Sequence, residues 1–323
     1  MFLRVLFCFC LFNCVFFTHA QTCCSGGIPL SNNIGLAPLE KGTLQVGIHY
    51  DYNNLNTLNF GTEKLDDNSR LRVTHSVLLN ANYDITSRLS IEGLFTWVNQ
   101  RRKITQFDNE NLEQSSGIGD AVLLLKYNFS NTFGQNSSLN IGAGTKIPLG
   151  STTEKNSQGI TLNADLQPGS NVWDLVLWTL MSKNFNFRPS FGVWSQITYR
   201  STGTNKEYLE NSTYKFGNEF QAYLGFSDQF LMFNALTNPG ISFKYRHAEK
   251  DMISGFDLDN TGGNWISVIP DFSIYIKPNI IFSTQFEIPL YSNVDGIQLT
   301  PTYRLTTGLL FRILPKKNII NLN

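Results

Sequence analysis

The sequence predicts an all-β protein: an antiparallel, up-and-down transmembrane β-barrel of about twelve strands, preceded by a signal peptide. Three observations support this fold class. About twelve segments alternate apolar and polar side chains with the period of two that a strand requires. Many segments have roughly ten or more residues, the length a membrane-crossing strand needs, whereas strands of soluble proteins usually have about five or six. The connections alternate between long and short, as in bacterial outer-membrane barrels.

The composition fits this class and excludes some partners. The 323 residues are 41% hydrophobic and 15% charged, and the formal net charge is zero. A nucleic-acid partner requires a basic excess, so we expect none. Phe and Gly each occur 25 times, which suits a protein rich in strands and turns.

The first 20 residues have the pattern of a secretory signal peptide. Arg4 supplies a short positive region, Val5–Phe17 is almost entirely apolar, and Ala20 offers a small residue for cleavage. An uncleaved anchor helix is the alternative, but the apolar run is short for a bilayer span.

Residues 21–42 form an N-terminal segment without periodicity, rich in Gly, Pro and Asn. We expect an extended segment, either in the periplasm or in the barrel mouth as a plug. It contains Cys23 and Cys24, which are adjacent and cannot form a disulfide framework. The pair is a candidate for binding a soft metal such as Cu(I) or for a cross-link to a partner chain, and an incidental free pair is the alternative. We expect no other metal site and no cofactor.

Residues 43–313 are predicted to form the barrel. Two strands are irregular: in 172–183 Val176, Trp178 and Leu180 share a face with Asp174, and 229–246 is broken near Pro239. The predicted strands are 43–52, 71–84, 88–100, 117–129, 138–149, 172–183, 187–200, 212–226, 229–246, 264–277, 279–290 and 298–313.

The last predicted strand has an apolar face that includes Leu299 and Phe311, and a polar face that includes Arg304. Its end resembles the C-terminal signal by which outer-membrane barrels are recognised for insertion. A short tail, 314–323, follows. The barrel-assembly machinery and outer-membrane lipid are therefore expected partners. The signal residues are Thr306, Gly308, Phe311 and Ile313.

The long connections lie near 53–70, 101–116, 150–171, 201–211, 247–263 and 291–297. With long loops outside, an even strand number places both termini in the periplasm and the barrel in the bacterial outer membrane. A soluble β-sandwich predicts no such alternation. Aromatic residues near strand ends are expected to form a girdle at the membrane borders: Tyr50, Tyr83, Trp97, Tyr127, Tyr199, Tyr214, Tyr245, Trp265 and Tyr275.

Charged residues on the polar faces are expected to point into the lumen. Barrels of eight strands are filled by side chains and barrels of sixteen to eighteen hold a water channel, so about twelve strands lies between. These charges either line a solute path or pair and close the interior. They are Arg72, Glu92, Asp120, Lys126, Lys146, Asp174, Arg200, Lys215, Glu219, Lys244, Arg246, Asp271, Lys277, Glu287, Arg304 and Arg312.

Gly117-Ile118-Gly119-Asp120 and the run Lys146-Ile147-Pro148-Leu149-Gly150, followed by the strand with Asp174, resemble motifs of one outer-membrane channel family. That family is named for the meta-cleavage phenol-degradation pathway. The resemblance implies a barrel channel or transporter, with aromatic degradation products as one suggested cargo. The Cys23-Cys24 pair is not part of the general pattern.

Enzymatic activity is not expected. Outer-membrane phospholipases place a Ser two residues after a His, and none of His49, His75 and His247 is followed in this way. Two hypotheses remain. One is a channel for small solutes, hydrophobic or aromatic ones included, and the other is a closed structural or ligand-binding barrel that acts through its outer loops.

Overall fold

The computed structural model describes residues 36–37, 39–106, 109–209, 212–232 and 234–315. Three predicted parts of the chain lie wholly or partly outside the described residues. They are the signal peptide 1–20, residues 21–35 of the N-terminal segment with its cysteine pair, and residues 316–323 of the tail.

Most of the described chain is β-strand, with one 3₁₀ turn at Ala164–Leu166. These residues include no helix that is long and apolar enough to cross a membrane. The strands are β1 Leu44–Gly61, β2 Glu63–Lys64, β3 Arg70–Asp84, β4 Leu89–Gln106, β5 Asn109–Ile118, β6 Ala121–Ser130, β7 Ser137–Ile147, β8 Asp174–Phe185, β9 Arg188–Ser201, β10 Asn205–Tyr208, β11 Ser212–Lys215, β12 Glu219–Ser227, β13 Phe230–Met232, β14 Ala235–Ala248, β15 Met252–Ile253, β16 Phe256–Asp257, β17 Gly263–Lys277 and β18 Ile280–Ile313.

The strands close into an antiparallel ring. Its order is β1, β3, β4, β6, β7, β8, β9, β12, β14, β17 and β18, and β18 returns to β1. The two arms of β18 face different neighbours, because Ile280 pairs with β17 while Ile313 pairs with Leu44 of β1. Between the arms, the Arg312 amide donates to Asn279 O at 2.8 Å. Counting both arms gives twelve wall segments, and the predicted closed antiparallel barrel is confirmed.

The side chains are distributed as in a membrane barrel, with apolar groups outside and polar groups inside. On β4 and β6 the outward Phe95 and Leu125 are 50% and 52% exposed, whereas the inward Glu92 and Lys126 are 2% and 1% exposed. Lipid offers no hydrogen bonds to a backbone, so the closed ladder and the apolar outer surface belong together.

The two ends of the barrel are distinguished here by the termini. Leu44 and Ile313, the first and last wall residues, pair at one end, called the near end. The opposite end is called the far end. The far end carries the longer connections, including residues 148–173 between β7 and β8.

Several strands are longer than predicted. β1 reaches Gly61 and β4 reaches Gln106, so the predicted connections 53–70 and 101–116 are largely strand. Residues 291–297 lie within β18. The predicted strand 212–226 is divided: β12 belongs to the ring, but β11 pairs with β15 in a small separate sheet. Lys215 and Tyr214 therefore lie outside the barrel wall, and their predicted lumen and girdle positions are wrong.

The predicted aromatic girdle holds only in part. Tyr50, Tyr83, Trp97, Tyr127, Tyr199 and Tyr245 are exposed on the outer face. Trp265 is 4% exposed and lies against the Arg246 guanidinium at 4.6 Å from the ring centre. Tyr275 shares the inward face of Asp271, and Arg312 lies over its ring at 6.0 Å. These two rings point inward because odd-numbered residues of β17, such as Asp271, face the lumen.

The apolar face of the last strand is also interrupted. Leu299 is 1% exposed and packs with Leu55 and Leu58 rather than facing lipid. The two register shifts of β1 between Asn54 and Thr57 cancel each other, so Phe60 keeps the outward facing of Tyr50. Leu299 is buried because Leu65, in the connection after β2, also packs over this cluster. The prediction that Leu299 meets lipid is therefore wrong.

Candidate functional site: the barrel lumen

Neighbouring strands contribute charged side chains of alternating sign to the interior of the barrel, near its far end. Lys146 Nζ of β7 lies 3.1 Å from Asp120 Oδ2 and 2.9 Å from Asp174 Oδ2 of β8. All three residues are at most 3% exposed. Burial of these charges is tolerable because each carboxylate meets a cation.

The same alternation continues across β9, β12 and β14. Arg200 Nη2 lies 3.1 Å from Glu219 Oε2, and its Nη1 lies 4.0 Å from Asp174 Oδ2. Arg246 Nε of β14 lies 2.8 Å from Glu219 Oε1. From Asp120 to Arg246, six side chains from neighbouring positions of the wall thus alternate between acidic and basic.

A second run of charges continues from β14 to β1. Lys244 Nζ lies 3.1 Å from Glu287 Oε1, and Arg304 Nε lies 2.7 Å from Asp51 Oδ2. Arg304 also interacts electrostatically with Glu287. We call the two runs together the charge belt. It contains five carboxylates and five cations: Asp51, Asp120, Asp174, Glu219 and Glu287, with Lys146, Arg200, Lys244, Arg246 and Arg304.

The connection 148–173, called the inner loop, folds into the far end of the lumen. Its Asp165 Oδ2 lies 2.9 Å from Arg72 Nη1, and Arg72 Nη2 donates to Asp165 O at 2.7 Å. Arg102 approaches the same carboxylate at 3.5 Å. The Ser115 hydroxyl donates to Leu166 O. Arg72 therefore holds a loop, a role that its strand position alone did not indicate.

Asp120 joins the inner loop to the wall. Its carboxylate accepts the Ser170 hydroxyl at 2.6 Å and the amides of Ser170 and Gly150 at 3.1 Å each. Gly150 and Gly169 approach so closely that a Cβ on Gly150 would lie 2.6 Å from the Gly169 backbone. The Gly-Ile-Gly-Asp motif and the run ending at Gly150 thus meet at one junction.

The described part of the N-terminal segment contacts lumen residues at the near end. The Leu36 amide donates to Glu92 Oε2 at 3.1 Å, and Lys126 Nζ donates to Leu36 O at 2.6 Å. Lys126 and Glu92 also pair at 2.7 Å. The Leu39 amide donates to Asp84 Oδ2 at 3.0 Å. The Glu92–Lys126 ion pair of the wall therefore holds the backbone N–H and C=O of Leu36.

One part of the lumen face is apolar, and we call it the lumen patch. Its residues come from β3, β4, β6 and β8 and are at most 2% exposed. Along the strands, Asp120 and Asp174 lie on the far-end side of the patch, and Lys126 lies on its near-end side. It explains why 172–183 alternates poorly: the second apolar face packs inside the barrel. The patch consists of Leu78, Leu94, Val122, Leu124, Val176 and Trp178.

Two tryptophan rings of the lumen face lie against glycines of the neighbouring strand. Trp194 pairs with Gly225 across β9 and β12, and a Cβ on Gly225 would collide with the indole ring. Trp178 pairs with Gly142, where a Cβ would lie 3.1 Å from the ring. Each glycine leaves space that the ring fills, so the ring extends along the wall instead of across the lumen.

The remaining predicted residues are distributed as follows. Asp271 is half-buried on the lumen face and lies over Gly240. Lys277 is exposed at the near end. In the predicted assembly signal, Thr306 donates to Asp51 Oδ2 at 2.7 Å, and Gly308 pairs with His49, whose ring leaves no space for a Cβ. Phe311 pairs with Val46, and Ile313 is 55% exposed. Their role in assembly stays a prediction.

Folded loops cover the far end. β10, β11, β15 and β16 form a small sheet whose core includes Tyr214 and Ala164 of the inner loop. The Tyr214 hydroxyl donates to Asp251 Oδ2 at 2.6 Å, and the Gly217 amide donates to Asp251 Oδ1 at 2.7 Å. Burial raises the pKa of the Asp251 carboxyl despite these hydrogen bonds. Within the described ranges, no group of three or more His, Cys, Asp or Glu residues is placed to hold a metal ion.

No protein-family model and no curated protein matches the chain. Among solved structures, the COG4313 outer membrane channel from Pseudomonas putida F1 superposes with a TM-score of 0.67 at 15% identity, over 85% of this chain and 97% of that chain. The fold is that of an outer-membrane β-barrel. The β domain of the Bordetella autotransporter BrkA (TM-score 0.46, 9% identity, 85% and 100% covered) and the Ralstonia pickettii toluene transporter TbuX (0.38, 9%, 85% and 90%) are more distant. Membership in the phenol-degradation channel family stays a prediction.

Proposed function

We propose that the protein is an outer-membrane channel for small apolar solutes, aromatic ones included. The lumen patch carries this proposal. Its six apolar side chains pack against one another on an inner wall that otherwise carries polar and charged groups. An apolar solute gains roughly 25 cal/mol for each Å² of its surface that leaves water.

Trp178 adds one polar group to the patch. It is 1% exposed, and no acceptor among the described residues pairs with its indole Nε1. A buried donor without a partner is costly, and a solute oxygen would relieve that cost. An apolar ring with a single hydroxyl or carbonyl oxygen fits this combination.

The proposed location is the bacterial outer membrane, with both termini in the periplasm. The apolar outer face, the ring closure and the longer far-end connections support it. Folded protein should fractionate with outer membranes, and unboiled protein should migrate differently from boiled protein on a denaturing gel. Recovery as a water-soluble periplasmic protein would refute this location.

Uptake of an uncharged aromatic dye into intact cells tests the solute class, because lipopolysaccharide slows such dyes in the absence of a channel. Cells that produce the protein should take up the dye several-fold faster than cells that lack it. Leu124→Asn places an amide in the lumen patch and should abolish most of the gain. Leu112→Asn is the matched control, since Leu112 is 56% exposed at the far end. Equal uptake with and without the protein would reject the proposal.

The second candidate is a closed barrel that binds a ligand through its outer loops. The folded sheet at the far end favours it, because this sheet and the inner loop give the end a defined surface. This candidate predicts no solute uptake and no conductance in planar bilayers. Either activity in protein that remains heat-modifiable would exclude it.

A further inference from the structure

The charge belt has an electrostatic property that the lumen patch does not explain. Its ten charges sum to zero, and every member has an oppositely charged neighbour within 4.0 Å. None of the ten side chains is more than 15% exposed. The belt's members come from the junction before β6 and from eight of the twelve wall segments, whereas β17 contributes none.

Paired charges cannot compensate a passing ion. An ion that leaves water for a narrow protein interior loses its hydration, and only a fixed charge or dipole of opposite sign offsets that loss. In the belt each carboxylate is already neutralised by a cation, and each cation by a carboxylate. Within the belt, an ion of either sign therefore meets no free counter-charge, while an uncharged solute loses much less on entering.

We propose that the charge belt is a selectivity element that excludes ions of both signs and restricts the lumen to uncharged solutes. The proposal rests on the proposed channel function and narrows its solute class. The belt owes this property to the equal number of positive and negative charges. Removal of one carboxylate should therefore make the lumen selective for anions, and removal of one cation should make it selective for cations.

Two neighbouring residues give mirror-image tests. Glu219→Gln leaves Arg200 and Arg246 in excess, so the belt becomes positive and should admit anions. Arg200→Gln leaves Asp174 and Glu219 in excess, so the belt should admit cations. The double substitution removes one charge of each sign and should restore the balance.

The measurement is the reversal potential of purified full-length protein in a planar bilayer under a potassium chloride gradient. Wild-type protein should show little current, with a reversal potential near zero. Glu219→Gln should shift it toward the chloride value and Arg200→Gln toward the potassium value, and the double variant should return it to zero. Glu110→Gln is the matched control: Glu110 pairs with Lys103 at the far end, but its side chain is 61% exposed. It should behave as wild type.

Each variant is first checked for heat modifiability. If the Arg200 and Glu219 variants do not fold, Lys244→Gln and Glu287→Gln repeat the test on a pair whose side chains are 7% and 15% exposed. Strong selectivity of the wild type would overturn the proposal, as would single variants that shift in the same direction or not at all. Opposite shifts in a protein that fails the dye-uptake test would leave the belt's role standing and reject the apolar solute.

Discussion

At the scale of single residues, glycines on the lumen face decide how far large side chains project. Gly225 lies opposite Trp194, and its missing Cβ provides the space that the indole ring occupies. Gly308 does the same for His49, which gives this position of the predicted assembly signal a structural reason. The width of the lumen therefore depends on residues that have no side chains of their own.

Gly225→Ala should displace the Trp194 ring toward the lumen axis, because the added Cβ would collide with the ring. We expect reduced dye uptake and an altered Trp194 emission in protein that still folds. Gly93→Ala is the control, since a Cβ there meets only Phe95, at 3.5 Å. Unchanged uptake by the Gly225 variant would show that Trp194 does not limit passage.

Phe311→Asp should impair assembly, because it places a carboxylate on the apolar side of the terminal strand. A charge on the lipid face of a barrel costs up to about 2–4 kcal/mol at the midplane for basic residues, and less for acids or near the interface. Loss of recognition by the assembly machinery would add to this cost. Phe187→Asp is the control, since Phe187 is 80% exposed in a near-end turn. The measurement is the amount of heat-modifiable protein in the membrane, and a normal amount would argue against the signal.

At the scale of elements, the inner loop depends on one carboxylate. Asp120→Asn keeps the shape of the side chain but removes its charge from Lys146 and weakens its hydrogen bonds with Ser170 and Gly150. We expect faster hydrogen exchange at the amides of Ser170 and Gly150, by roughly tenfold if about 1.4 kcal/mol of local stability is lost. Asp67→Asn is the control, since Asp67 accepts the Ser69 amide in an exposed loop. Unaltered exchange at Ser170 would show that other contacts hold the loop.

The sequence predicted the ring of strands because a strand in lipid needs apolar side chains on its outer face and polar side chains on its inner face. This alternation does not predict the facing of residues that lipid does not contact. Leu299 was misplaced because Leu58 and Leu65 cover it, and Tyr214 was misplaced because β11 leaves the ring at the far end. The inner loop has no periodicity, so nothing local indicated that Asp165 enters the lumen. The lumen patch did leave a signal, since Val176, Trp178 and Leu180 break the alternation beside Asp174.

At the scale of the whole molecule, the N-terminal segment is expected to occlude the near end as a plug. Glu92 and Lys126 hold the backbone of Leu36, and the sequence leads us to expect that Pro29 and Pro38 disfavour a long helix. Deletion of residues 23–40 should raise the small single-channel conductance that the charge belt still permits, while the barrel stays heat-modifiable. A flexible tether that binds a partner through Cys23 and Cys24 is the competing explanation. It predicts unchanged conductance and the loss of a cross-link, and this result in a well-folded deletion variant would refute the plug.

The central claim is that the barrel turns its apolar face to lipid and its polar face to the lumen, and tryptophan quenching tests it directly. Of the five tryptophans, Trp97 is 42% exposed on the outer face and Trp178 is 1% exposed inside. Two variants, each retaining only one of these two residues, would be reconstituted in vesicles of brominated lipid, whose bromine atoms quench indole fluorescence on contact. Strong quenching of Trp97 together with weak quenching of Trp178 is the predicted result. Equal quenching of both, or quenching of Trp178 alone, would contradict the account.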